Sequence, residues 1–386
     1  MTIVAWLCAA LAVLPLVVAW RNLPGFSRPR IAPPAGTGVS ILIPARNEAA
    51  AIERSMRNAL ASTGVDVEVR VLDDDSTDDT AAIVARVAAD DVRATLRRAP
   101  PLEPGWAGKQ RACALLAADA RHDVLMFVDV DVALAPDAAA TAAGLLLSDP
   151  RLGMVSGFPR ELAVSVAERL VVPFIHVLLV GYLPMDRMRR STSPAYGAAC
   201  GQWIVARRDA YRRVGGHAAA PLSRHDGTVL PRLFRAAGFG TDVFDGGDVA
   251  RCRMYDGLAT VWRGFAKSPG EGMATWGALP VWTVLIGLGH VAPAAWLVAG
   301  CVVGRPAWIG AGAVGSAAGF ALRALLVARL GQSRLGALLH PLGAALLLAN
   351  QWWSLLRNAA GRTSEWRGRR YVAATSGKRR PTAHAG

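Results

Sequence analysis

The chain has 386 residues, is 53% hydrophobic and carries a net charge of +14, about half of it in residues 357–386. That length holds one full domain plus additional elements. Its five cysteines (Cys8, Cys113, Cys200, Cys252 and Cys301) form no CxxC pair, which argues against a zinc site or a disulfide framework.

Met1 to Trp20 contains no charged side chain and is long enough to cross a bilayer. A cleaved signal peptide would want a basic start and a small-residue cleavage site, and neither is clear. Arg21, Arg28 and Arg30 follow at once. Under the positive-inside rule they place the next domain in the cytoplasm.

Val39 to Ile43 is a short apolar run that reads as a strand, with Pro44 ending it. Arg46, Asn47 and Glu48 then stand at the strand exit, before a predicted helix over 49–61. Val67 to Leu72 repeats the pattern and ends in Asp73, Asp74 and Asp75. Ser76 or Asp78 is placed to cap the alanine-rich helix that follows. Gly105-Trp-Ala-Gly-Lys109 is a glycine-marked loop that delivers a lysine into a helix start.

Val124 to Val128 reads as a central strand of a parallel sheet, apolar on both faces. It closes in Asp129-Val-Asp131. Ligands of open α/β sheets bind beyond the carboxyl ends of the strands. Two carboxylates there suit a hard divalent cation, Mg²⁺ or Mn²⁺, and such a cation clamps a diphosphate. Asp-x-Asp by itself is also a common strand-end turn. Strand, helix, strand, helix, Asp-x-Asp strand is a βαβ pattern.

Leu170 to Pro184 is apolar but short for a span, and Arg187, Arg189 and Arg190 follow it. It reads either as a buried core helix or as an interfacial helix with arginines at the headgroups. From Thr275 to Val303 the chain is uncharged but contains Pro280, His290 and Pro293. Pro306–Leu322 is rich in small residues, and Leu335–Leu356 forms a third apolar stretch. Three spans here would put the basic tail outside, against the positive-inside rule. Either Thr275–Val303 is a broken pair of half-spans or the tail violates the rule. A basic tail behind a membrane span points to anionic lipid headgroups rather than to nucleic acid.

Pro44, Arg46, Asn47 and Glu48, then Asp73, Asp74, Ser76 and Asp78, then Asp129 and Asp131 together resemble the nucleotide-sugar half of family 2 glycosyltransferases. The Gly105-Trp106-x-Gly108-Lys109 element is similar to membrane-bound members that glycosylate lipids, including carotenoid and hopanoid glycosyltransferases. Tyr196 to Gly216 resembles the family's glycine-rich segment, strand and Gly-Gly helix end. Arg251-x-Arg-Met-Tyr255 with Trp262-x-Gly-Phe-x-Lys267 resembles the lipid-glycosylating group again. The Gln-x-x-Arg-Trp string of processive polymerases is absent. The resemblance covers roughly residues 39–268.

It implies a GT-A fold: a Rossmann-like, mostly parallel α/β sheet, flanked here by membrane helices. The expected boundaries are an anchor over 1–20, a linker over 21–38 and the catalytic domain over 39–272. Transmembrane helices over 273–356 and a basic tail over 357–386 follow. The family's Glu-Asp motif falls at His225-Asp226, so its glutamate is replaced while Asp226 is kept as the catalytic base. The bland alternative for Asp226 is a helix N-cap.

Pro44, Arg46, Glu48, Asp74, Lys109 and Asp129 are the implied donor-binding residues, and Asp131 with Asp129 the metal ligands. Asp74 is assigned to the nucleotide base or ribose, Asp73 to support of the turn, and Lys109 to phosphate. Arg251, Arg253 and Lys267 are candidates for phosphate contact or ordinary solvated charge. The implied protein is a multi-pass membrane enzyme facing the cytoplasm. It would transfer a sugar from a nucleotide-sugar to a hydrophobic lipid with inversion. Transfer to a polyprenyl phosphate is the nearest alternative, and a catalytically dead membrane scaffold is the alternative of another class.

Overall fold

The β-branched and aliphatic runs singled out above form the middle of a twisted sheet. The computed structural model of the chain describes residues 1–267, 271–361, 364–366 and 369–371. Ten strands build the central domain. They are β1 (Gly38–Ala45), β2 (Asp66–Asp73), β3 (Ala94–Arg98), β4 (Val124–Val128), β5 (Val132–Leu134), β6 (Leu152–Phe158), β7 (Arg160–Glu161), β8 (Trp203–Arg207), β9 (Gly240–Asp245) and β10 (Ala250–Cys252).

Seven of them pair in the order β3-β2-β1-β4-β8-β6-β9. Only β8 runs antiparallel to its two neighbours. A second, three-stranded sheet has the order β5-β10-β7. Crossover helices cover both faces, so the central strands are mostly apolar on both sides, with Ser40 and Glu68 paired inside. Val39, Ile41, Ile43, Val69, Val71 and Met126 pack on one face with Ile52, Met56 and Val84. Leu42, Leu72, Leu125 and Phe127 pack on the other with Cys113, Leu116 and Phe234. The chain order reverses between β1 and β4, which makes their carboxyl ends the switch point of the sheet.

Local details differ from the sequence reading. Pro44 does not end β1 but lies inside it, opposite Leu72 of β2. Pairing of β1 with β4 stops at Leu42, so Pro44 sits where one neighbour strand remains. The first crossover helix is Ile52–Leu60, shorter than expected. Strand β3 was not anticipated, because its alternation of Thr95, Arg97 and Arg98 with apolar residues marks an edge strand.

Leu170–Pro184 is part of two short helices, Val166–Val171 and Phe174–Tyr182, and its core is buried. The buried reading therefore holds. Phe174–Tyr182 packs on the N-terminal helix Thr2–Asn22, where Gly181 leaves room for Pro15. Asn22 closes that joint. Its amide donates to the carbonyls of Val180 at 2.8 Å and Leu183 at 2.7 Å, and its oxygen accepts from the Met185 amide at 3.2 Å.

Among the described residues three helices are long and apolar enough to cross a membrane: Thr2–Asn22, Leu279–Val303 and Pro306–Leu330. Leu279–Val303 is continuous, with a π-helical stretch at Thr283–Val291, rather than a pair of half-spans. The stretch expected as a further span is broken into Arg334–Leu338 and His340–Ala359 and falls outside that set. Asn350, Gln351 and Ser354 instead donate to the carbonyls of Trp262, Phe265 and Ala266 at 2.8, 3.0 and 3.2 Å. These polar groups dock His340–Ala359 along the helix Leu258–Phe265. Most of the basic tail lies outside the described residues.

Candidate active site

Three side chains far apart in sequence meet beyond the end of β4. Lys109 enters on the second residue of the helix Gly108–Asp119. Its Nζ lies 2.7 Å from Asp129 Oδ1 and 2.8 Å from Asp226 Oδ2, and donates to the Gly201 carbonyl at 3.0 Å. The backbone fixes all three partners. The Asp129 amide donates to the Gln202 carbonyl at 2.9 Å, and the Ala107 amide to the Pro221 carbonyl at 2.7 Å.

Asp226 is the first residue of the helix Asp226–Ala236 and is buried. Small neighbours make that position possible. A Cβ on Gly201 would lie 2.2 Å from Asp226 Oδ1, and one on Gly227 would lie 2.4 Å from the Ala199 carbonyl oxygen.

The electrostatics follow from this packing. Burial opposes the charge of Asp226, but the ion pair and hydrogen bond from Lys109 outweigh it and hold its carboxyl down at about 2. His217 and Lys267 push the same way. Burial also opposes the charge on Lys109, yet Asp129 and Asp226 hold its ammonium well above the ordinary range. Near Asp131 the balance is reversed: burial and the charge of Asp131 push the Glu161 carboxyl well up. Glu161 therefore tends to keep its proton beside Asp131.

A second group of residues sits at the exits of β1 and β2. Arg46 Nη1 donates to the carbonyls of Asp74 and, at 2.8 Å, Asp75. Asn47 and Asp75 both adopt positive φ, which suits their short polar side chains. The Asn47 amide donates to Ser76 Oγ at 2.9 Å, and the Glu48 amide to Thr80 Oγ1 at 2.8 Å. Asp78 accepts from the amides of Thr80 at 3.0 Å and Ala49 at 3.1 Å and ties the two strand exits together, but the N-cap position of the helix Thr80–Asp90 is Asp79 rather than Ser76 or Asp78. Ser76 is occupied by Asn47 instead. Asp73 Oδ1 is buried with no hydrogen-bond partner among the described residues. β1 lies between β2 and β4, so the two groups stand about 10 Å apart, two strand spacings.

Not every expected residue converges. Lys267 reaches the field of Asp226. Arg253 is engaged with Asp256 at 3.0 Å and Glu168 at 3.7 Å, and Arg251 is exposed on β10. His225 is exposed and shares a hydrogen bond with Thr228 Oγ1 at 2.6 Å.

Other residues of the site carry no sequence signal. His217 is buried, its Nδ1 shares a 2.7 Å hydrogen bond with Tyr211 Oη, and burial lowers its imidazole to about 3. Glu271 accepts from Ser223 Oγ at 2.6 Å and the Arg224 amide at 3.0 Å, which steadies the loop before Asp226. Among the described residues no group of three or more His, Cys, Asp or Glu is arranged to hold a metal ion. Asp129 and Asp131 offer two carboxylates at one strand exit, a donor set that suits a hard cation whose remaining ligands come from a substrate.

Comparison with known proteins agrees with this geometry. The profile of Glycosyl transferase family 2 matches residues 40–215. The 4,4'-diaponeurosporenoate glycosyltransferase of Staphylococcus haemolyticus is 29% identical over 233 residues, 59% of this chain and 60% of the relative. Its Staphylococcus aureus counterpart is 26% identical over the same shares. The chain thus spans about 60% of the length of the curated relatives it matches.

Among solved structures, a mannosyltransferase from Pyrobaculum calidifontis in complex with GDP-Man and Mn²⁺ aligns with a TM-score of 0.54. The alignment covers 93% of this chain and 98% of that one at 21% identity, a likeness of fold. The central α/β unit has the GT-A fold, and over residues 40–215 it matches the profile of glycosyl transferase family 2.

Proposed function

We propose that the chain is a membrane-bound inverting glycosyltransferase. It moves a sugar from a nucleotide-sugar donor to a hydroxyl or carboxyl of a hydrophobic lipid such as a carotenoid. The observation that carries this reading is the buried Asp226 carboxylate at a helix head, joined through Lys109 to Asp129 at the switch point of the sheet. The three long apolar helices and the name of the staphylococcal relatives support a lipid acceptor.

Arg46, Asp74 and their neighbours would receive the nucleoside, with Pro44 and Glu48 shaping the floor of its pocket. Asp129 and Asp131 would hold Mg²⁺ or Mn²⁺, which neutralises charge building on the leaving diphosphate. Asp226 accepts the proton of the attacking group. A carboxylate paired to Lys109 is a weak base. Drawing Lys109 toward the donor diphosphate dissolves the pair and strengthens Asp226 where burial already favours its protonated form. One in-line displacement inverts the anomeric centre.

Three spans would also agree with the charge of the tail. With Arg21, Arg28 and Arg30 in the cytoplasm, the two later crossings, Leu279–Val303 and Pro306–Leu330, would return residue 331 to the cytoplasm, where His340–Ala359 would dock on the catalytic domain. The test is a comparison of lipid extracts from cells carrying wild-type protein, Asp226→Asn or no gene, by mass spectrometry. A lipid whose mass rises by one sugar only with the wild type supports the reading. A sugar found instead on a polyprenyl phosphate moves the assignment to that acceptor, and identical extracts overturn both.

A further inference from the structure

The helix Pro306–Leu330 buries a guanidinium among apolar helices. Arg323 is fully enclosed, and Nε, Nη1 and Nη2 have no hydrogen-bond partner among the described residues. Ser316 Oγ, about two turns earlier on the same face, both amide atoms of Gln332 and His340 Nδ1 are likewise buried without a hydrogen-bond partner among the described residues. Arg323 stands seven residues before the helix end at Leu330, about 10 Å along the axis.

The surroundings supply no counter-charge. The helices Thr2–Asn22, Phe174–Tyr182, Leu279–Val303, Arg334–Leu338 and His340–Ala359 pack around this helix and contain no Asp or Glu. The nearby turn of Val166–Val171 contains Glu168, but that carboxylate is committed elsewhere. It accepts from the amides of Val164 at 2.7 Å and Gly257 at 2.8 Å and from Ser165 Oγ at 2.7 Å. The other polar groups in the field of Arg323 are His176, His290 and His340. His290 bridges Tyr182 Oη at 2.7 Å and His340 Nε2 at 2.8 Å.

A buried charge with neither counter-ion nor hydrogen bonds is strongly unfavourable, and membrane arginines ordinarily find a partner. Water supplies hydrogen bonds but no charge. The small recess between Gly289, Pro293, Ser316, Gly319 and His340 has room for roughly one water and is not lined by Arg323, so it holds no counter-ion for it. The missing partner therefore keeps its bulk outside the protein and presents only its anionic head.

We propose that Arg323 binds the oxyanion of a membrane lipid, a phosphate or carboxylate, under the short helix Arg334–Leu338. The planar guanidinium matches two oxygens of such a group. Gly336 lies over it, its Cβ position 3.5 Å from Nη2, while Leu335 and Leu338 beside it are exposed and apolar. The site is separate from Asp226 and stands whether or not the catalytic reading does. It requires only that these helices lie in lipid.

The test measures thermal unfolding of the full chain in uncharged maltoside micelles with phosphatidylglycerol, oleate or inorganic phosphate added. The lipid anions should raise the midpoint of the wild type by several degrees, as binding to the folded state alone requires. They should leave Arg323→Leu unmoved, and inorganic phosphate should do nothing to either. Without lipid, Arg323→Leu should be at least as stable as the wild type, because an uncompensated charge has gone. Equal stabilisation of both proteins, or none of the wild type, overturns the site, and a matching effect of inorganic phosphate overturns its assignment to lipid. If Arg323→Leu does not fold, native mass spectrometry of the wild type decides, since release of a lipid-free protein from phosphatidylglycerol micelles overturns the proposal.

Discussion

Lys109 Nζ and Asp226 Oδ2 lie 2.8 Å apart, so the carboxylate assigned to proton abstraction is held by a cation carried on the loop assigned to the donor. The pair couples the two halves of the site. It also sets the direction of the pH effects.

Replacing Lys109 by Met should leave a folded protein whose Asp226 titrates higher. Burial then acts on that carboxyl without its main opponent. The acid limb of kcat should move toward neutral pH by at least about one unit, and donor KM should rise. In the wild type the Asp226 carboxyl lies below its ordinary 3.8, at about 2. The ion pair therefore stabilises the fold above that ordinary value, and this contribution is lost as pH falls through about 2. A kcat profile indistinguishable from wild type would remove Lys109 from control of the base.

Asp226→Asn should lower kcat about 10²–10⁴-fold with donor KM nearly unchanged, because proton transfer matters only in the transition state. His225→Ala should do much less, since His225 is exposed and faces Thr228. Steady-state kinetics on both variants check this, and an essential His225 beside a dispensable Asp226 would move the base to the imidazole.

Asp131→Ala should abolish transfer and Mn²⁺-dependent binding of nucleoside diphosphate while far-UV circular dichroism stays that of the wild type. EDTA should have the same effect on the unmodified protein. Full turnover in EDTA would rule out the cation.

Gly201→Ala forces a methyl group to within 2.2 Å of Asp226 Oδ1, and the carboxylate must move from its place beside Lys109. Loss of kcat by about 10²-fold is expected, as for other small displacements of a reacting group. The variant should also unfold at a lower temperature.

Topology is open to a labelling experiment. In a background without native cysteines, Arg305→Cys should react with a membrane-impermeant thiol reagent in intact cells, and Ser27→Cys should not. Gly304 and Arg305 form the turn between the two C-terminal candidate spans. Labelling at Ser27 would invert the arrangement.

Much of the donor side was legible in the chain because it is local. Apolar strands ending in Asp74 and Asp129 are readable wherever both faces of a sheet are buried, and Lys109 directly follows the glycine that starts its helix. Asp226 was found by motif position. His217, Gln202 and Glu271 were not, because each acts through contacts between segments distant in sequence, and none has a spacing that marks it. The C-terminal topology stayed open in the sequence for another reason. Hydropathy counts the leucines of His340–Ala359 but does not see that Asn350, Gln351 and Ser354 are spent on another helix.

If the chain acts on a lipid in a membrane, as proposed, the clamp of Asn22 on Val180, Leu183 and Met185 bears on substrate choice. It moors the N-terminal helix to the domain at three backbone points, so the reaction centre hangs at a fixed height instead of swinging on a tether. Depth becomes a ruler. An acceptor is then sorted by how far its reactive oxygen protrudes from the hydrocarbon, and two chemically identical lipids differing only in that reach should be told apart.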